Sequence, residues 1–270
     1  MISPKVVIIT GASSGIGKAL AEQYARRGWH LALGARRVDL LEAMKPALEA
    51  HGSRVLCLAT DVSKEDDCKR LIEAAAATFG KIDILINNAG ISMRALFRDV
   101  ELDVLRRLMD VNFWGTVYCT RYALPYLLKS KGSVVGVISI AGYVGLPGRT
   151  GYSASKFAVR GFLETLRTEN LKTGLHVLIA APGFTATDIR FTALTADGSP
   201  QGASPRKEEK MMSAEEVAQR IIRAVDRRKN SLILTFFEGK FTVFLHKFFP
   251  GLVARLAYRH MSKEPDSPFK

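Results

Sequence analysis

The stretch Thr10-Gly11-Ala12-Ser13-Ser14-Gly15-Ile16-Gly17 closes the apolar run Val6–Thr10 near the start of the chain. Glycine adopts backbone angles that other residues avoid, and it lets the chain approach a ligand closely. A helix that begins here would offer unpaired N–H groups and a positive dipole end to a pyrophosphate. The spacing GxxxGxG matches the common GxGxxG fingerprint only in part. The sequence predicts a phosphate-binding turn between a strand and a helix; the alternative is a tight turn without a ligand.

Apolar runs alternate with amphipathic stretches from this turn onward. Two helices are predicted at Lys18–Arg27, stopped by Gly28, and at Glu65–Phe79, with Ser63 as a possible N-cap and Gly80 as its stop. The predicted strands are Val6–Thr10, His30–Gly34, Val55–Thr60, Ile82–Asn87, Ser133–Ser139, His176–Ala181 and, more weakly, Ser231–Thr235. Near-continuous apolar strands separated by helices are typical of a parallel sheet covered on both faces. We therefore expect an α/β, doubly wound parallel sheet (a Rossmann fold) with about seven strands.

Composition and charge exclude several classes of protein. The three cysteines, Cys57, Cys68 and Cys119, form no CxxC pair, which argues against a disulfide framework or a zinc site and favours a reducing compartment. The first strand begins almost at the first residue, so we expect no signal peptide and a cytoplasmic location. The net charge of +13 is spread along the chain without an arginine-rich arm, so no nucleic-acid partner is expected. The five histidines are scattered and no HExxH motif occurs, so no metal is expected.

The end of the second strand normally selects between the two nicotinamide dinucleotides. An acidic residue there binds the ribose 2′-hydroxyl, whereas arginine accommodates a 2′-phosphate. The sequence reads Gly34-Ala35-Arg36-Arg37 and has no carboxylate at this point. Because the arginine fork suits phosphate, NADP(H) is the predicted cofactor. The alternative is that one or both arginines are solvated surface charges.

Tyr152 and Lys156 are four residues apart in Gly151-Tyr152-Ser153-Ala154-Ser155-Lys156, so in a helix they share a face. A free tyrosine, with a pKa of about 10, is a poor proton carrier at neutral pH. A nearby ammonium group is expected to lower that pKa. Alone the spacing is weak evidence, but Ser139 lies at a strand end before Tyr152, and Asn112 precedes both.

Taken together, these motifs resemble the short-chain dehydrogenase/reductase family over roughly residues 5 to 190. The matching motifs are TGxxxGxG at 10–17, Asp61-Val62, NNAG at 87–90, Asn112, Ser139, YxxxK at 152–156 and Pro182-Gly183. The resemblance implies that Tyr152 acts as acid or base and that Ser139 orients the substrate oxygen. It implies that Lys156 lowers the tyrosine pKa and binds the nicotinamide ribose, and that Asn112 holds a water of a proton relay. The residues expected to contact the cofactor are Gly11, Ser13, Ser14, Gly15, Ile16, Gly17, Arg36, Arg37, Asp61, Val62, Asn88, Ala89, Gly90, Tyr152, Lys156, Pro182, Gly183, Thr185 and Thr187.

Three segments are candidates for substrate contact: Ile91–Phe97, Tyr143–Arg149 and Phe184–Leu194. They contribute Met93, Leu96, Phe97, Tyr143, Leu146, Phe184 and Phe191, which predicts an apolar substrate portion such as a lipid, steroid, retinoid or acyl chain. The alternative is that several of these residues pack under a loop. The segment Thr192–Arg206 is rich in Thr, Gly, Ser and Pro and is predicted to be a mobile loop on the substrate side.

We divide the chain into a catalytic domain, 1–235, and a C-terminal extension, 236–270, which is apolar and basic and is expected to be helical. The extension carries Phe236, Phe237, Phe241, Phe244, Phe248 and Phe249, interrupted by charged residues and Pro250, so a spanning helix is not expected. Three alternatives remain open: packing on its own domain, a subunit contact in a homodimer or homotetramer, or peripheral contact with a membrane surface. Some members of the family with similar extensions associate with membranes.

The function predicted from these residues is an NADPH-dependent oxidoreductase, a carbonyl reductase or alcohol dehydrogenase. It would move a hydride between the nicotinamide and a carbonyl or secondary alcohol of a small molecule. The alternative from another class is a non-catalytic NADPH-binding sensor or scaffold. An isomerase or dehydratase would favour a longer chain.

Overall fold

The structure of the protein is a computed structural model, which describes residues 4–203, 211–264 and 267–269. Seven strands form one parallel sheet in the order β3-β2-β1-β4-β5-β6-β7. They are β1 Val6–Thr10, β2 His30–Ala35, β3 Val55–Ala59, β4 Ile84–Asn87, β5 Ser133–Val137, β6 His176–Ala181 and β7 Ser231–Ile233. The helices are α1 Gly15–Ala25, α2 Val38–Glu49, α3 Glu65–Phe79, α4 Leu102–Leu108, α5 Gly115–Ser130, α6 Thr150–Glu169, α7 Ala214–Asp226, α8 Thr242–Phe248 and α9 Pro250–Met261. The predicted doubly wound α/β fold is confirmed.

Two apolar layers hold the sheet between its helices. All five residues of β1 are buried, as expected for a central strand that is covered on both faces. On one face, Leu20, Leu41 and Ile221 belong to a buried cluster that joins α1, α2 and α7 to the sheet. On the other face, a second cluster includes Leu71 of α3 and Leu127 of α5.

The strand order reverses beside β1, which pairs with β2 on one side and β4 on the other. In open α/β sheets, ligands bind at the carboxyl ends of the strands next to such a switch point. The glycine turn after β1 and the NNAG segment after β4 both lie there. The topology therefore places two motifs, about 75 residues apart in sequence, side by side.

Several predicted boundaries were wrong by a few residues. Ile82 precedes β4, Ser139 lies beyond β5, and the predicted ends of β3 and β7 also extend past the observed strands. Helix α1 begins at Gly15, within the glycine turn, and it ends at Ala25. Glycine destabilises the interior of a helix. In the first turn of α1, however, the close approach of the backbone to a ligand or to other backbone atoms requires glycine.

Ser63 does not cap α3. The residue before the helix is Lys64, and it makes no side-chain capping bond. The Ser63 hydroxyl donates instead to Asp61 Oδ1 at 2.7 Å. The predicted stop at Gly80 is confirmed, since Gly80 has a φ of 75°, a left-handed angle that favours glycine at a helix end.

The C-terminal extension is helical, as predicted. A π-helical turn, Phe236–Phe241, leads into α8 and α9. Val253, Met261 and Glu264 are buried, so the inner face of α9 and the turn after it are packed against the protein. Phe236, Phe237, Phe241, Phe244, Phe248 and Phe249 are exposed, whereas Phe269 is half-buried. Within the described part of the chain, no helix has both the length and the apolarity needed to cross a membrane.

Candidate active site

A cavity of about 720 Å³ opens at the carboxyl edge of the sheet, within the usual range for small-molecule sites. Its floor at one end is the glycine turn, in which Gly11 and Gly15 have φ angles of 64° and 53°. A Cβ on Gly11 would lie 2.8 Å from Ala89 Cα, and a Cβ on Gly17 would collide with the Gly11 carbonyl oxygen. The turn therefore needs glycine for both angle and space.

The NNAG segment supports this turn. Asn88 Nδ2 donates to the carbonyl oxygens of Thr10, at 3.0 Å, and Gly11, at 3.2 Å. The Thr10 hydroxyl accepts the backbone N–H groups of Asn88 and Ala89 at 3.0 and 3.1 Å. Asn88 is thus bonded to the glycine turn through its side chain, while it also lines the cavity together with Ala89 and Gly90.

Arg36 and Arg37 are exposed and line the cavity beyond the end of β2. Arg37 Nη2 donates to Ser14 Oγ at 3.2 Å and to Ser13 Oγ at 3.4 Å. These bonds hold one guanidinium over the first turn of α1, so cationic and hydroxyl donors converge at this end of the cavity. Such a donor set suits a phosphate group.

Asp61 and Val62, which follow β3, also line the cavity. The Asp61 carboxylate accepts the backbone N–H of Ser63 at 3.1 Å in addition to the Ser63 hydroxyl, which fixes its orientation. Val62 packs against the start of α5, where a Cβ on Gly115 would lie 2.8 Å from Val62 Cβ.

Ser139, Tyr152 and Lys156 meet at the other end of the cavity. Ser139 is held by the short 3₁₀ turn that follows β5, because its Oγ accepts the N–H of Ala141 at 3.2 Å. Tyr152 lies in the first turn of α6, and Lys156 lies one turn later with its Nζ 5.8 Å from the centre of the tyrosine ring. Lys156 Nζ donates to the Val137 carbonyl oxygen at 3.1 Å.

The electrostatics of these groups differ from the expectation in one respect. Burial raises the pKa of Tyr152 above 10, while a hydrogen bond with Ser139 and the positive charge of Arg149 act to lower it. Burial lowers the pKa of Lys156 from 10.5 to about 8. The positive charge of Arg149 therefore acts on the tyrosine pKa in the direction that the sequence analysis expected of Lys156.

Asn112 lies in a π-helical segment, Met109–Trp114, between α4 and α5. Its side chain bonds the backbone of Ile91 twice: Oδ1 accepts from the N–H at 2.9 Å and Nδ2 donates to the carbonyl oxygen at 3.0 Å. Nδ2 also donates to Ser155 Oγ at 2.9 Å. Asn112 thus ties the segment after NNAG to α6. The cavity wall does not include it.

All the residues predicted for cofactor contact line this cavity except Gly17. Gly90 brings the backbone close to two of the predicted groups, since a Cβ there would lie 3.0 Å from Asn112 Oδ1 and 3.3 Å from Lys156 Nζ. Pro182, Gly183, Thr185 and Thr187 form a wall beyond β6. The Thr185 carbonyl oxygen accepts from Arg190 Nη2 at 2.7 Å, which anchors this segment.

The predicted apolar lining is only partly present. Leu146 and Phe184 line the cavity. Met93, Leu96, Phe97, Tyr143 and Phe191 are absent from its wall. Met93 is fully buried in a cluster beneath the loop, and Phe97 is 62% exposed. Tyr143 instead bonds Ser231 Oγ at 3.2 Å. Side chains on an irregular loop follow no fixed period, so the sequence does not say which ones point inward.

The structure adds cavity residues that the sequence analysis did not name individually, although several lie in the predicted substrate segments. The apolar additions include Ile91, Ile189, Leu194 and Pro200, and the polar ones include Ser92, Arg107, Asp110, Arg149 and Arg190. Arg149 Nη1 donates to Ser92 Oγ at 2.8 Å and to the Met93 carbonyl oxygen at 3.1 Å. Arg149 is the last residue of the predicted substrate segment Tyr143–Arg149, and its position three residues before Tyr152 was a further signal. Of the predicted loop 192–206, residues 204–206 lie outside the described residues.

Comparison with known families agrees with this geometry. The sequence model described as short chain dehydrogenase matches residues 5–197. The chain belongs to the short-chain dehydrogenase family. It is therefore a member of a family of oxidoreductases that bind a nicotinamide nucleotide.

Relatives of this short-chain dehydrogenase are similar over most of the chain. The 11-beta-hydroxysteroid dehydrogenase-like 6 of Arabidopsis thaliana is 42% identical over 241 residues, which cover 86% of this chain and 70% of the relative. Dehydrogenase/reductase SDR family member 7B of Mus musculus is 36% identical over 267 residues, covering 97% of this chain and 83% of the relative. Other plant relatives are longer, and the match spans 61% of their length.

A solved structure has the same fold. The alcohol dehydrogenase of the archaeon Thermococcus sibiricus, complexed with 5-hydroxy-NADP, superposes with a TM-score of 0.74 at 27% identity. The match covers 85% of this chain and 95% of that one.

Proposed function

We propose that this short-chain dehydrogenase uses NADP(H) to transfer a hydride between the nicotinamide and a carbonyl or secondary alcohol carbon. The observation that carries the proposal is the meeting of Ser139, Tyr152 and Lys156 at one end of a cavity. The glycine turn and Arg37 form the other end of the same cavity. A dinucleotide laid between the two ends would bring its reactive ring to the tyrosine.

The residues of this chain would handle the substrate oxygen and its proton. The bound nicotinamide supplies or accepts the hydride, and the protein supplies orientation and proton transfer. The Ser139 hydroxyl would bond the substrate oxygen and Tyr152 would give it a proton during reduction or remove one during oxidation. Lys156, fixed by Val137, would hold the nicotinamide ribose. Asn112 would hold the water of a proton relay while it bonds Ile91 and Ser155.

The preference for NADP(H) rests on the donors around the end of β2. Arg36, Arg37 and the hydroxyls of Ser13 and Ser14 can bond a 2′-phosphate, and no carboxylate takes the place of Arg36 or Arg37 at this strand end. A related alcohol dehydrogenase of similar fold is complexed with an NADP derivative. The remaining predicted contacts, Asp61 and Val62 near the adenine and Thr185 and Thr187 near the nicotinamide, line the same cavity.

The substrate side of the cavity has an apolar wall. Ile91, Leu146, Phe184, Ile189 and Leu194 provide an apolar wall for a hydrophobic substrate portion. Plant relatives carry the name 11-beta-hydroxysteroid dehydrogenase, and this also favours a bulky apolar alcohol or ketone.

The test follows NADPH absorbance with a panel of aldehydes and of aliphatic, cyclic and steroidal ketones. Tyr152→Phe keeps the ring and removes the hydroxyl, so it should abolish turnover while NADPH binding persists. Turnover that survives unchanged in Tyr152→Phe would exclude the tyrosine mechanism. NADPH binding without oxidation of any substrate would favour the sensor or scaffold.

We also propose that the C-terminal extension contacts an anionic membrane surface from the cytoplasmic side. Phe237 is 74% exposed, and the exposed rings of Phe244 and Phe248 contact each other with their centres 5.2 Å apart. Lys240 and Lys247 are exposed among these rings. An exposed aromatic face with interspersed lysines suits an anionic lipid surface.

Vesicles of phosphatidylcholine with and without phosphatidylserine test this contact by co-sedimentation. The double variant Phe244→Ser/Phe248→Ser should lose binding, whereas Phe97→Ser, an exposed phenylalanine outside the extension, should retain it. Equal sedimentation of the two variants would contradict the proposal. Light scattering of the same proteins measures the homodimer or homotetramer that the sequence predicts, and a loss of oligomer in the double variant would assign the face to a subunit contact.

A further inference from the structure

The chain returns to the substrate side of the cavity after α9. Glu264 Oε2 lies 3.4 Å from Arg94 Nη2, although the two residues are 170 positions apart. Their side chains are only 6% and 8% exposed, for Arg94 and Glu264 respectively. Burial of two charges is costly unless the ions are held together, so this contact differs from an exposed surface pair.

Arg94 belongs to a loop that is bonded to two other loops of the substrate side. Its backbone N–H donates to the Leu194 carbonyl oxygen at 2.8 Å, and that of Ala95 donates to the Gly148 carbonyl oxygen at 3.0 Å. Leu194 lines the cavity, as does Ser92, which bonds Arg149. Three loops that are distant in sequence therefore form one hydrogen-bonded unit. Arg94 provides a first contact between this unit and the C-terminal segment.

A second contact joins the same segment to the same unit. Pro268 Cγ lies 3.4 Å from the point where a Cβ of Gly148 would be. The Ser267 hydroxyl donates to the Met261 carbonyl oxygen at 3.0 Å, and the Phe269 ring packs on Tyr258 at 5.0 Å between centres. Ser267 and Phe269 thus contact α9, while Pro268 meets the loop before Tyr152.

We propose that Glu264 is a positioning residue that holds the substrate-side loops in place through Arg94. Neither side chain lines the cavity, so both act through the loop backbone. The consequence for substrate binding rests on the proposed oxidoreductase function, whereas the effect on the loops does not. The C-terminal extension is then a part of the substrate-binding structure and not only an appendage of it.

Hydrogen exchange tests the effect on the loops without any substrate. In Glu264→Gln, the amides of Arg94 and Ala95 should exchange about tenfold faster than in the wild type, because local opening becomes easier. Asp99→Asn is the matched control, since Asp99 forms an exposed ion pair with Arg98 near the same loop. Its amide protection should equal that of the wild type.

Kinetics test the consequence for the substrate. For a bulky carbonyl substrate, KM in Glu264→Gln should rise about tenfold while kcat changes by less than about threefold, because the loops and not the reacting groups are displaced. NADPH affinity should be unchanged. Glu264→Asp keeps the charge on a shorter side chain and should restore part of the lost protection. It also replaces Glu264→Gln if that variant does not fold.

Three results would overturn the proposal: unchanged protection in Glu264→Gln, equal loss in Asp99→Asn, or lost protection with an unchanged KM. A wild-type protein without turnover on any carbonyl would refute the proposed function instead. The exchange rates would still decide whether Glu264 holds the loops.

Discussion

Lys156 Nζ donates a hydrogen bond to the carbonyl oxygen of Val137, the last residue of β5, at 3.1 Å. The lysine side chain is buried, and its burial lowers the pKa to about 8. One neutral oxygen compensates only partly for the loss of water around an ammonium group. The burial of Lys156 in the candidate site therefore lowers the stability of the folded protein as long as the ammonium group is charged.

This cost predicts a pH dependence of stability. Between the folded pKa of about 8 and the unfolded value of 10.5, the unfolded chain binds more protons than the folded one. The contribution of Lys156 to the free energy of unfolding therefore increases as pH rises. Relative to Lys156→Met, the wild-type free energy of unfolding should increase across this window by up to about 3 kcal/mol. Urea unfolding at a series of pH values measures it. Lys129→Met, which removes an exposed lysine of α5, should give a curve parallel to that of the wild type.

Arg149 predicts a shift in the pH dependence of activity. Its positive charge lowers the pKa of Tyr152, so Arg149→Gln should raise that pKa. In the direction of alcohol oxidation the tyrosine must be deprotonated, and the rising limb of kcat/KM against pH should move to higher pH. Arg149→Lys keeps the charge and should restore the limb toward its wild-type position. A limb that stays in place in Arg149→Gln would contradict a role for this charge.

Arg36 and Arg37 predict the choice of cofactor. The variant Arg36→Ala/Arg37→Ala should weaken NADPH binding by at least about tenfold and leave NADH binding nearly unchanged, because charge-assisted bonds to a 2′-phosphate are lost. Titration calorimetry with both nucleotides measures the change. Arg26→Ala/Arg27→Ala removes the same number of charges at the end of α1 and serves as the control. Equal affinities of the wild type for NADPH and NADH would refute the preference.

Two glycines should respond in opposite ways to alanine. In Gly17→Ala the new Cβ would collide with the Gly11 carbonyl oxygen and lie 2.6 Å from Asn88 Nδ2, so the turn must open and nucleotide affinity should fall by at least about tenfold. In Gly161→Ala, within α6, the new Cβ meets open space among the described residues. That variant should be more stable by about 0.5–1 kcal/mol with unchanged nucleotide affinity. Thermal unfolding and fluorescence titration separate the two effects.

Much of the fold could be predicted because its signals are local. The buried strands are continuous apolar runs, and β1 and β6 begin and end where the sequence predicted. The errors lie at boundaries such as Ile82 and Ser63, where tertiary contacts and not local preference decide the last residue of an element. The lining of the cavity was harder, because Met93 and Phe97 turn away from it while Arg149 turns toward it.

The sequence by itself determined the doubly wound sheet, the glycine turn and the residues that meet at the ends of the cavity. It could do so because the apolar runs and the short motifs are local patterns, and because the order of these motifs resembles that of the short-chain dehydrogenase/reductase family. Only the tertiary structure decided which loop side chains face the substrate, that Asn112 bonds Ile91 and Ser155, and that Glu264 reaches Arg94. Contacts between residues so far apart depend on how the chain closes around the sheet, and no local pattern encodes that closure.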